Sequence, residues 1–244
     1  MITEAKKQLE ILLINYFREC YPDFPKGNII ASESPDFVVK LKNRKKLGIE
    51  LTRLHSSNIQ VAARHSEVSS ELIEISRELF ERSSNWKLFV KILFSEKKFI
   101  GEERILSVSA LLVNLIRKTT SSKNSGSFFH EILNYKQLPF GLQEILIVHH
   151  PGMRESIWEE ANNLGISNNI VDDIEQVIRK KEKKLALYRK QQLDENWLLI
   201  STDRLQTTKS YNIPNQLLKQ DFKSEFDRVV VFDLMKQYLF EWIK

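Results

Sequence analysis

The sequence predicts an α/β protein in which a mixed β-sheet is flanked by helices. Apolar residues recur at helical spacing from Ile2 to Phe17, and short β-favouring runs then follow one another between residues 29 and 54. Helix-like and strand-like segments alternate over the rest of the chain. This order of elements is typical of a mixed sheet with helices on both faces.

The first helix is expected to stop at the turn-forming segment YPDFPKGN. The runs IIASES, DFVVKL and KLGIELTRL follow with short polar connections, which predicts an antiparallel meander of three strands. A second helix is predicted to run to about Glu81, with Ser57 or Asn58 as its cap. The run WKLFVKILF is the predicted fourth strand of the same sheet.

The second half of the chain continues in this manner. It predicts a helix in EERILSVSALLVNLIRK, a strand in EILIVHH, a short helix from Arg154, a longer helix from about Val171 to Gln191, and strands in NWLLIS and DRVVVFDL. The strands after the Ser-rich loop TTSSKNSGS are expected to extend the first sheet. We therefore predict a single domain over residues 1–244, with a core in 1–100 and an α/β extension in 101–244 packed on the same sheet.

The composition limits the possible functions. Hydrophobic residues make up 42% and charged residues 28% of the chain, which is typical of a globular protein. The net charge of +5 is compatible with a polyanionic partner. Cys20 is the single cysteine, so an intramolecular disulfide is excluded and a cytoplasmic location is expected. We find no apolar run long enough to span a bilayer, so no membrane association is expected.

Two carboxylates stand in unexpected places in the predicted meander. Asp36 opens the second β-run, and Glu50 lies in the middle of the third, between Ile49 and Leu51. A hairpin would bring the two carboxylates together, and a divalent cation such as Mg²⁺ would compensate their charge. The alternative is that Asp36 is a turn residue after Pro35 and that Glu50 pairs with a nearby Lys or Arg.

The segments SPDF and IELT, behind an N-terminal helix and joined by a basic hairpin, resemble the first and second motifs of the PD-(D/E)XK nuclease superfamily. The resemblance covers about the first half of the chain and implies a restriction-endonuclease-like αβββαβ core with a C-terminal α/β extension. It also implies a metal-dependent nuclease that hydrolyses phosphodiester bonds, with DNA as the expected polymer. Asp36 and Glu50 would share one Mg²⁺ or Mn²⁺ ion, with carboxylates about 4 to 6 Å apart.

The chain departs from this superfamily at Thr52, which stands where a lysine is usual. A cation from elsewhere would have to replace it, and Lys181 is our first candidate because it interrupts the apolar stripe of the predicted long helix. Lys40 and Arg64 are alternatives, and Glu10 of the first helix is a candidate for a further acid. Each of these residues also has a structural interpretation as a solvated or ion-paired side chain.

The basic hairpin between the two acids is the predicted nucleic-acid contact, through Lys42, Arg44, Lys45 and Lys46. The missing lysine leaves a second hypothesis open. In this alternative the chain is a catalytically inactive relative that serves as a nucleic-acid-binding or protein-binding module. The sequence makes no prediction of the oligomeric state.

Overall fold

The computed structural model describes residues 4–54, 63–95, 97–134, 136–161, 170–205 and 213–244. The chain divides into two compact units. Unit 1 comprises Met1–Tyr16 and Gln60–Asn162, and unit 2 comprises Phe17–Ile59 and Asn163–Lys244. The predicted boundary near residue 100 falls inside unit 1. Among the described residues, every helix is too short or too polar to cross a bilayer.

An N-terminal helix is followed by single strands and groups of strands that are separated by helices. The helices are α1 (Glu4–Cys20), α2 (Ala63–Glu81), α3 (Ile105–Ser121), α4 (Ile170–Glu182), α5 (Leu185–Arg189) and α6 (Ile213–Leu218), with a 3-10 turn at Glu102–Arg104. The strands are β1 (Gly27–Ala31), β2 (Phe37–Leu41), β3 (Lys46–Arg53), β4 (Phe89–Phe94), β5 (Phe129–Asn134), β6 (Leu142–His149), β7 (Ile157–Glu160), β8 (Glu195–Thr202), β9 (Arg228–Asp233) and β10 (Leu239–Ile243).

Unit 2 contains a six-stranded mixed sheet in the order β1-β2-β3-β8-β9-β10. Strands β1, β2 and β3 form the predicted antiparallel meander. Strands β8 and β9 continue the sheet in parallel with β3, and β10 returns antiparallel to β9. The interior strands β8 and β9 are buried over most of their length, which explains their nearly continuous apolar runs.

The two faces of this sheet are covered by different parts of unit 2. On one face, Leu198 and Ile200 of β8 and Val229 and Val231 of β9 pack with the apolar side of α4 and with α5 and α6. On the opposite face, aromatic rings from the end of α1 and the residues after it contact the sheet. These contacts join Phe17 to Phe232, and Tyr21 and Phe24 to Trp197.

Unit 1 contains a four-stranded mixed sheet in the order β5-β6-β4-β7. Its core forms where α2 and α3 pack on one face of β4 and β6, through residues such as Leu72, Leu112, Ile92 and Ile145. Lys91 of β4 is completely buried, and its ammonium group is 2.8 Å from the Glu159 carboxylate of β7. The unit therefore has its own core.

The structure confirms an α/β fold and corrects four of the predicted elements. The run at Phe89–Phe94 is a strand, but it pairs with β6 and β7 in the second sheet, because an apolar run does not encode which strands lie beside it. The later strand EILIVHH also belongs to that second sheet, and it does not extend the first.

The other two corrections concern helices. The short helix expected from Arg154 is wrong: Ile157–Glu160 forms β7, whose pairing with β4 overrides the helix propensity of its glutamates. The long helix expected from Val171 to Gln191 is two helices, since α4 ends at Glu182 and α5 begins at Leu185.

Candidate functional site

The strand register places Asp36 opposite Glu50. Phe37 pairs with Ile49 and Val38 with Gly48, so the residue before β2 comes to lie across from Glu50 of β3. Residues directly opposite each other in an antiparallel pair point to the same face of the sheet, with Cβ atoms about 4.5–5.5 Å apart. The two acids therefore share the face that α4 and α5 cover.

The Asp36 side chain is fixed by the backbone of the neighbouring strand. Its Oδ2 atom accepts a hydrogen bond of 2.8 Å from the Leu51 N–H group. Strand β2 begins only at Phe37, so the carboxylate extends the hydrogen-bond ladder by one position beyond the strand. This contact holds the half-buried Asp36 carboxylate on the strand position opposite the buried Glu50.

Glu50 is 2% exposed, and two lysines compensate its charge. Lys181 Nζ lies 2.8 Å and Lys184 Nζ 3.1 Å from the same carboxylate atom, Oε1. The predicted approach of Lys181 to the acid pair is thus confirmed as a contact, while its catalytic role stays a prediction. The Lys181 side chain is 17% exposed and the Lys184 side chain 52% exposed.

The sequence of α4 explains why two lysines meet at this point. Its first turn carries Asp172 and Asp173, and its last turn is basic, which matches the polarity of the helix dipole. The helix ends at Glu182, and the Lys184 N–H group donates to the Lys181 carbonyl at 2.9 Å. This turn brings the ammonium groups of Lys181 and Lys184 to one acceptor.

The segment that follows α5 is anchored beside the acids. Gln191 Nε2 donates a hydrogen bond to the Ser34 carbonyl, just before Asp36. A Cβ atom on Gly48 would lie 2.6 Å from Leu193 Cδ1 and 2.8 Å from Pro35 Cγ. Glycine at position 48 therefore allows this segment to pack against the start of β2.

Tyr188 of α5 completes the surroundings of Glu50. The residue is 1% exposed, and its hydroxyl group lies close enough to the Glu50 carboxylate to affect the ionisation of both groups. Among the described residues the hydroxyl has no partner with good hydrogen-bond geometry. Burial, followed by the proximity of Glu50 and the charge of Asp36, raises the pKa of Tyr188 well above its usual range, so the phenol stays protonated.

Opposing effects act on the ionisation of Glu50. Burial alone would raise the pKa of its carboxyl group, but the hydrogen bond from Lys181 and the nearby Tyr188 hydroxyl act in the other direction. The charge of Lys181 and the hydrogen bond from Lys184 add to the second effect, and the net result is a lowered pKa. Glu50 is therefore a carboxylate at neutral pH.

The other predicted site residues have different positions. Thr52 is half-buried on the same face as Glu50, two residues further along β3. Lys40 is exposed and lies opposite Lys46, four residues from Asp36 and so about 13 Å along the strand, too far to replace the missing lysine. Glu10 belongs to unit 1, where its carboxylate lies 3.8 Å from Lys6 of α1. The Arg64 side chain lies outside the described residues.

The predicted basic hairpin is present as an exposed turn between β2 and β3. The tip, with Lys42, Arg44 and Lys45, is exposed, and Lys46 is half-buried at the start of β3. Arg44 adopts a left-handed conformation with φ of 69°, and Lys45 donates its N–H to the Asn43 side chain at 3.1 Å. The hairpin thus offers several cations to solvent.

A second basic segment lies closer to the acids than the hairpin does. It runs from 179 to 184 at the end of α4, where Arg179, Lys180 and Lys183 are exposed beside the two lysines that contact Glu50. Because this segment carries positive charge up to the acid pair, it is the better placed of the two for a bound phosphate.

Sequence reasoning did not assign two of the residues around Glu50. In the single long helix that the sequence predicts, Lys184 would lie at the edge of the apolar stripe, whereas the turn after α4 directs it to the carboxylate. Tyr188 fits the apolar stripe of that helix, and an aromatic residue at helical spacing is usually a core residue. The usable signal was Glu50 itself, because a carboxylate among apolar residues requires cations from elsewhere in the chain.

The side chains around Glu50 can bind a divalent cation or an anion. Two carboxylates on one face could hold a small cation that keeps part of its water shell, and the lysines could contact a phosphate. Within the described part of the chain, no group of three or more His, Cys, Asp or Glu side chains converges as in a protein-only metal cage. Comparison of the chain with family models, curated proteins and solved structures gives no match.

Proposed function

We propose that the chain is a metal-dependent nuclease that hydrolyses phosphodiester bonds in nucleic acid, with DNA as the expected polymer. One observation carries the proposal: buried Glu50 lies opposite Asp36 in the strand register and has Lys181 2.8 Å from its carboxylate. Two acids and a lysine are the functional groups of the PD-(D/E)XK site that the sequence resembles. Here the lysine comes from α4, and Thr52 stands at its usual position.

The order of elements in unit 2 supports a restriction-endonuclease-like core. Its three antiparallel strands are followed along the chain by unit 1 and then by α4, α5 and β8, which is parallel to β3. If residues 60–162 are regarded as an insertion, the remaining order is helix end, three strands, helices and a parallel strand. In this interpretation α4, α5 and β8 take the place that α2 and β4 had in the sequence-based assignment.

The residues present fit a Mg²⁺ or Mn²⁺ ion. Mg²⁺ is commonly held by one or two carboxylates and keeps several waters, so Asp36 and Glu50 are sufficient protein ligands. Glu50 is ionised at neutral pH, because the lysines and Tyr188 lower the pKa of its carboxyl group. The ion would supply a bound water of lowered pKa and would neutralise charge on the scissile phosphate.

The remaining residues have separate roles in this proposal. Lys181 would stabilise negative charge that develops on the phosphate, as the superfamily lysine does from the position of Thr52. Asp36 is kept in place by the Leu51 N–H group, which fixes the distance between the two acids. The basic segments 42–46 and 179–184 would bind the phosphate backbone on either side of the scissile bond.

Cleavage of a supercoiled plasmid with Mg²⁺ or Mn²⁺ tests the proposal. Wild type should cut, and Glu50→Gln and Asp36→Asn should lose the activity. Lys181→Ala should reduce the rate by about 10²–10³-fold, the usual effect of removing one group that stabilises transition-state charge. Lys118→Ala is the control, since this exposed helical lysine lies outside both basic segments. Equal rates for wild type and Glu50→Gln would refute the assignment.

A second candidate is a non-catalytic module that binds nucleic acid or protein. The contacts of Glu50 favour it, because Lys181 and Lys184 already compensate the buried carboxylate without any metal ion. This candidate predicts salt-sensitive retention of DNA by wild type together with no cleavage at any divalent cation concentration. Cleavage that requires Glu50 would exclude it.

A further inference from the structure

Two lysines that differ in burial share one oxygen atom of Glu50. Lys181 Nζ and Lys184 Nζ both donate to Oε1, at 2.8 and 3.1 Å. The Lys181 side chain is 17% exposed and belongs to the last turn of α4. The Lys184 side chain is 52% exposed and follows the end of that helix. The contact that involves Lys184 is therefore the easier of the two to break.

The same two contacts oppose the binding of a cation at the acid pair. A divalent ion beside Glu50 would be repelled by both ammonium groups and would compete with them for the carboxylate. An ion pair with an exposed partner contributes up to about 1 kcal/mol, which equals an affinity change of up to about fivefold. Separation of Lys184 from Glu50 thus costs little free energy, and an anion that binds Lys184 could offset that cost.

We propose that Lys184 is an exchangeable cation that leaves Glu50 to bind the phosphate of a phosphodiester. The inference rests on the proposed function and deepens it, because it assigns Lys184 to the phosphate of the substrate. Lys181 stays with the carboxylate. Exposed Lys180 and Lys183 lie in the same segment, and their positive charge attracts phosphate. The ammonium group of Lys184 therefore moves from the Glu50 carboxylate to the phosphate within this basic segment.

A thermodynamic consequence follows from this exchange. If a phosphodiester draws Lys184 away from Glu50, the acid pair gains affinity for a divalent cation. Coupling between two ligands is reciprocal, so the cation must increase the affinity for the phosphodiester by the same factor. Metal ion and substrate would then bind cooperatively, and the acid pair would bind the ion weakly in the absence of substrate.

Calorimetric titration with MnCl₂ tests the inference without any measurement of activity. The titrations are done with and without saturating dimethyl phosphate, a singly charged phosphodiester that is chemically inert, at matched ionic strength. Wild type should bind Mn²⁺ about two- to fivefold more tightly when dimethyl phosphate is present. Without dimethyl phosphate, Lys184→Ala should bind Mn²⁺ more tightly than wild type by about the same factor. Addition of dimethyl phosphate should change the Mn²⁺ affinity of Lys184→Ala little. Lys184→Gln should agree with Lys184→Ala. Lys118→Ala, which removes an exposed lysine outside both basic segments, should behave as wild type.

The outcomes separate this inference from the proposed function. If wild type and Lys184→Ala bind Mn²⁺ equally, or if dimethyl phosphate strengthens binding equally in both, Lys184 is not exchangeable and only the inference fails. If neither protein binds Mn²⁺ under any condition, the metal site itself is refuted, and the inference fails with it. Thermal unfolding of each variant checks that the substituted protein is folded.

Discussion

Replacement of Lys181 by alanine should destabilise the protein by an amount that the contacts of Glu50 determine. The change removes one charge-assisted hydrogen bond of 2.8 Å from a carboxylate that is 2% exposed. Such bonds contribute about 1.5–3 kcal/mol, and loss of a sole partner from a buried ion pair costs about 3–5 kcal/mol. Because Lys184 remains at 3.1 Å, we expect a loss of about 2 kcal/mol, near the lower end of these values.

Urea unfolding of wild type, Lys181→Ala, Glu50→Gln and the double variant measures this interaction as a double-mutant cycle. The expected coupling energy is about 1–2 kcal/mol, since the two groups are in direct contact. Lys180→Ala, an exposed neighbour in the same helix turn, should change the free energy of unfolding by less than about 0.5 kcal/mol. A coupling energy near zero, or a Lys181→Ala variant as stable as wild type, would refute the reasoning.

Three further predictions concern pH and packing. The lowered pKa of Glu50 implies a stabilising contribution that is complete above the unfolded pKa of about 4.3 and is lost as the pH falls through the folded value. The difference in unfolding free energy between wild type and Glu50→Gln should therefore shrink in acid, and a constant difference would contradict this. Burial raises the pKa of Asp233 to about 7 in spite of backbone donors such as Leu205, so stability should fall by up to about 4 kcal/mol as the pH rises from about 4 to 7. Asp233→Asn should flatten that profile, and an unchanged slope would disprove the assignment. Gly48→Ala should cost about 1–3 kcal/mol in urea unfolding, because its Cβ would lie 2.6 Å from Leu193 Cδ1 and 2.8 Å from Pro35 Cγ; a neutral effect would show that both side chains move freely.

The sequence correctly predicted those elements that depend on residues close together in the chain. The meander of β1, β2 and β3 follows from β-favouring runs with tight polar connections, and α2 ends at Glu81 as its periodicity indicates. These elements depend on residues near one another in sequence. Strand β10, which sequence reasoning did not identify, follows β9 directly and depends on its pairing with that strand.

Partners that are distant in sequence could not be predicted in the same way. Strand β8 pairs with β3 although 148 positions separate Glu50 from its partner Leu198, and nothing in either run specifies the other. Assignment of Phe89–Phe94 to the first sheet was wrong for this reason, since β6 and β7 are equally suitable neighbours for a buried apolar strand.

The contact between Lys181 and Glu50 could be predicted because a buried charge requires compensation. That argument identifies the type of partner and leaves a small number of lysines and arginines to choose from. The contact between Lys184 and Glu50 was not predicted, because it depends on the break between α4 and α5. At that break the Lys184 N–H group donates to the Lys181 carbonyl. A single long helix, as the sequence predicts, would have directed the two side chains differently.

The most direct test of the Asp36–Glu50 metal site is calorimetric titration of wild type and Asp36→Asn with Mn²⁺. The asparagine oxygen can still accept the hydrogen bond from the Leu51 N–H group, so the substitution removes the charge and preserves the contact that fixes the side chain. We predict one Mn²⁺ bound per wild-type chain and an affinity at least about tenfold lower for Asp36→Asn. No binding by wild type, or equal affinity for the two proteins, would contradict the proposal that Asp36 and Glu50 form a metal site.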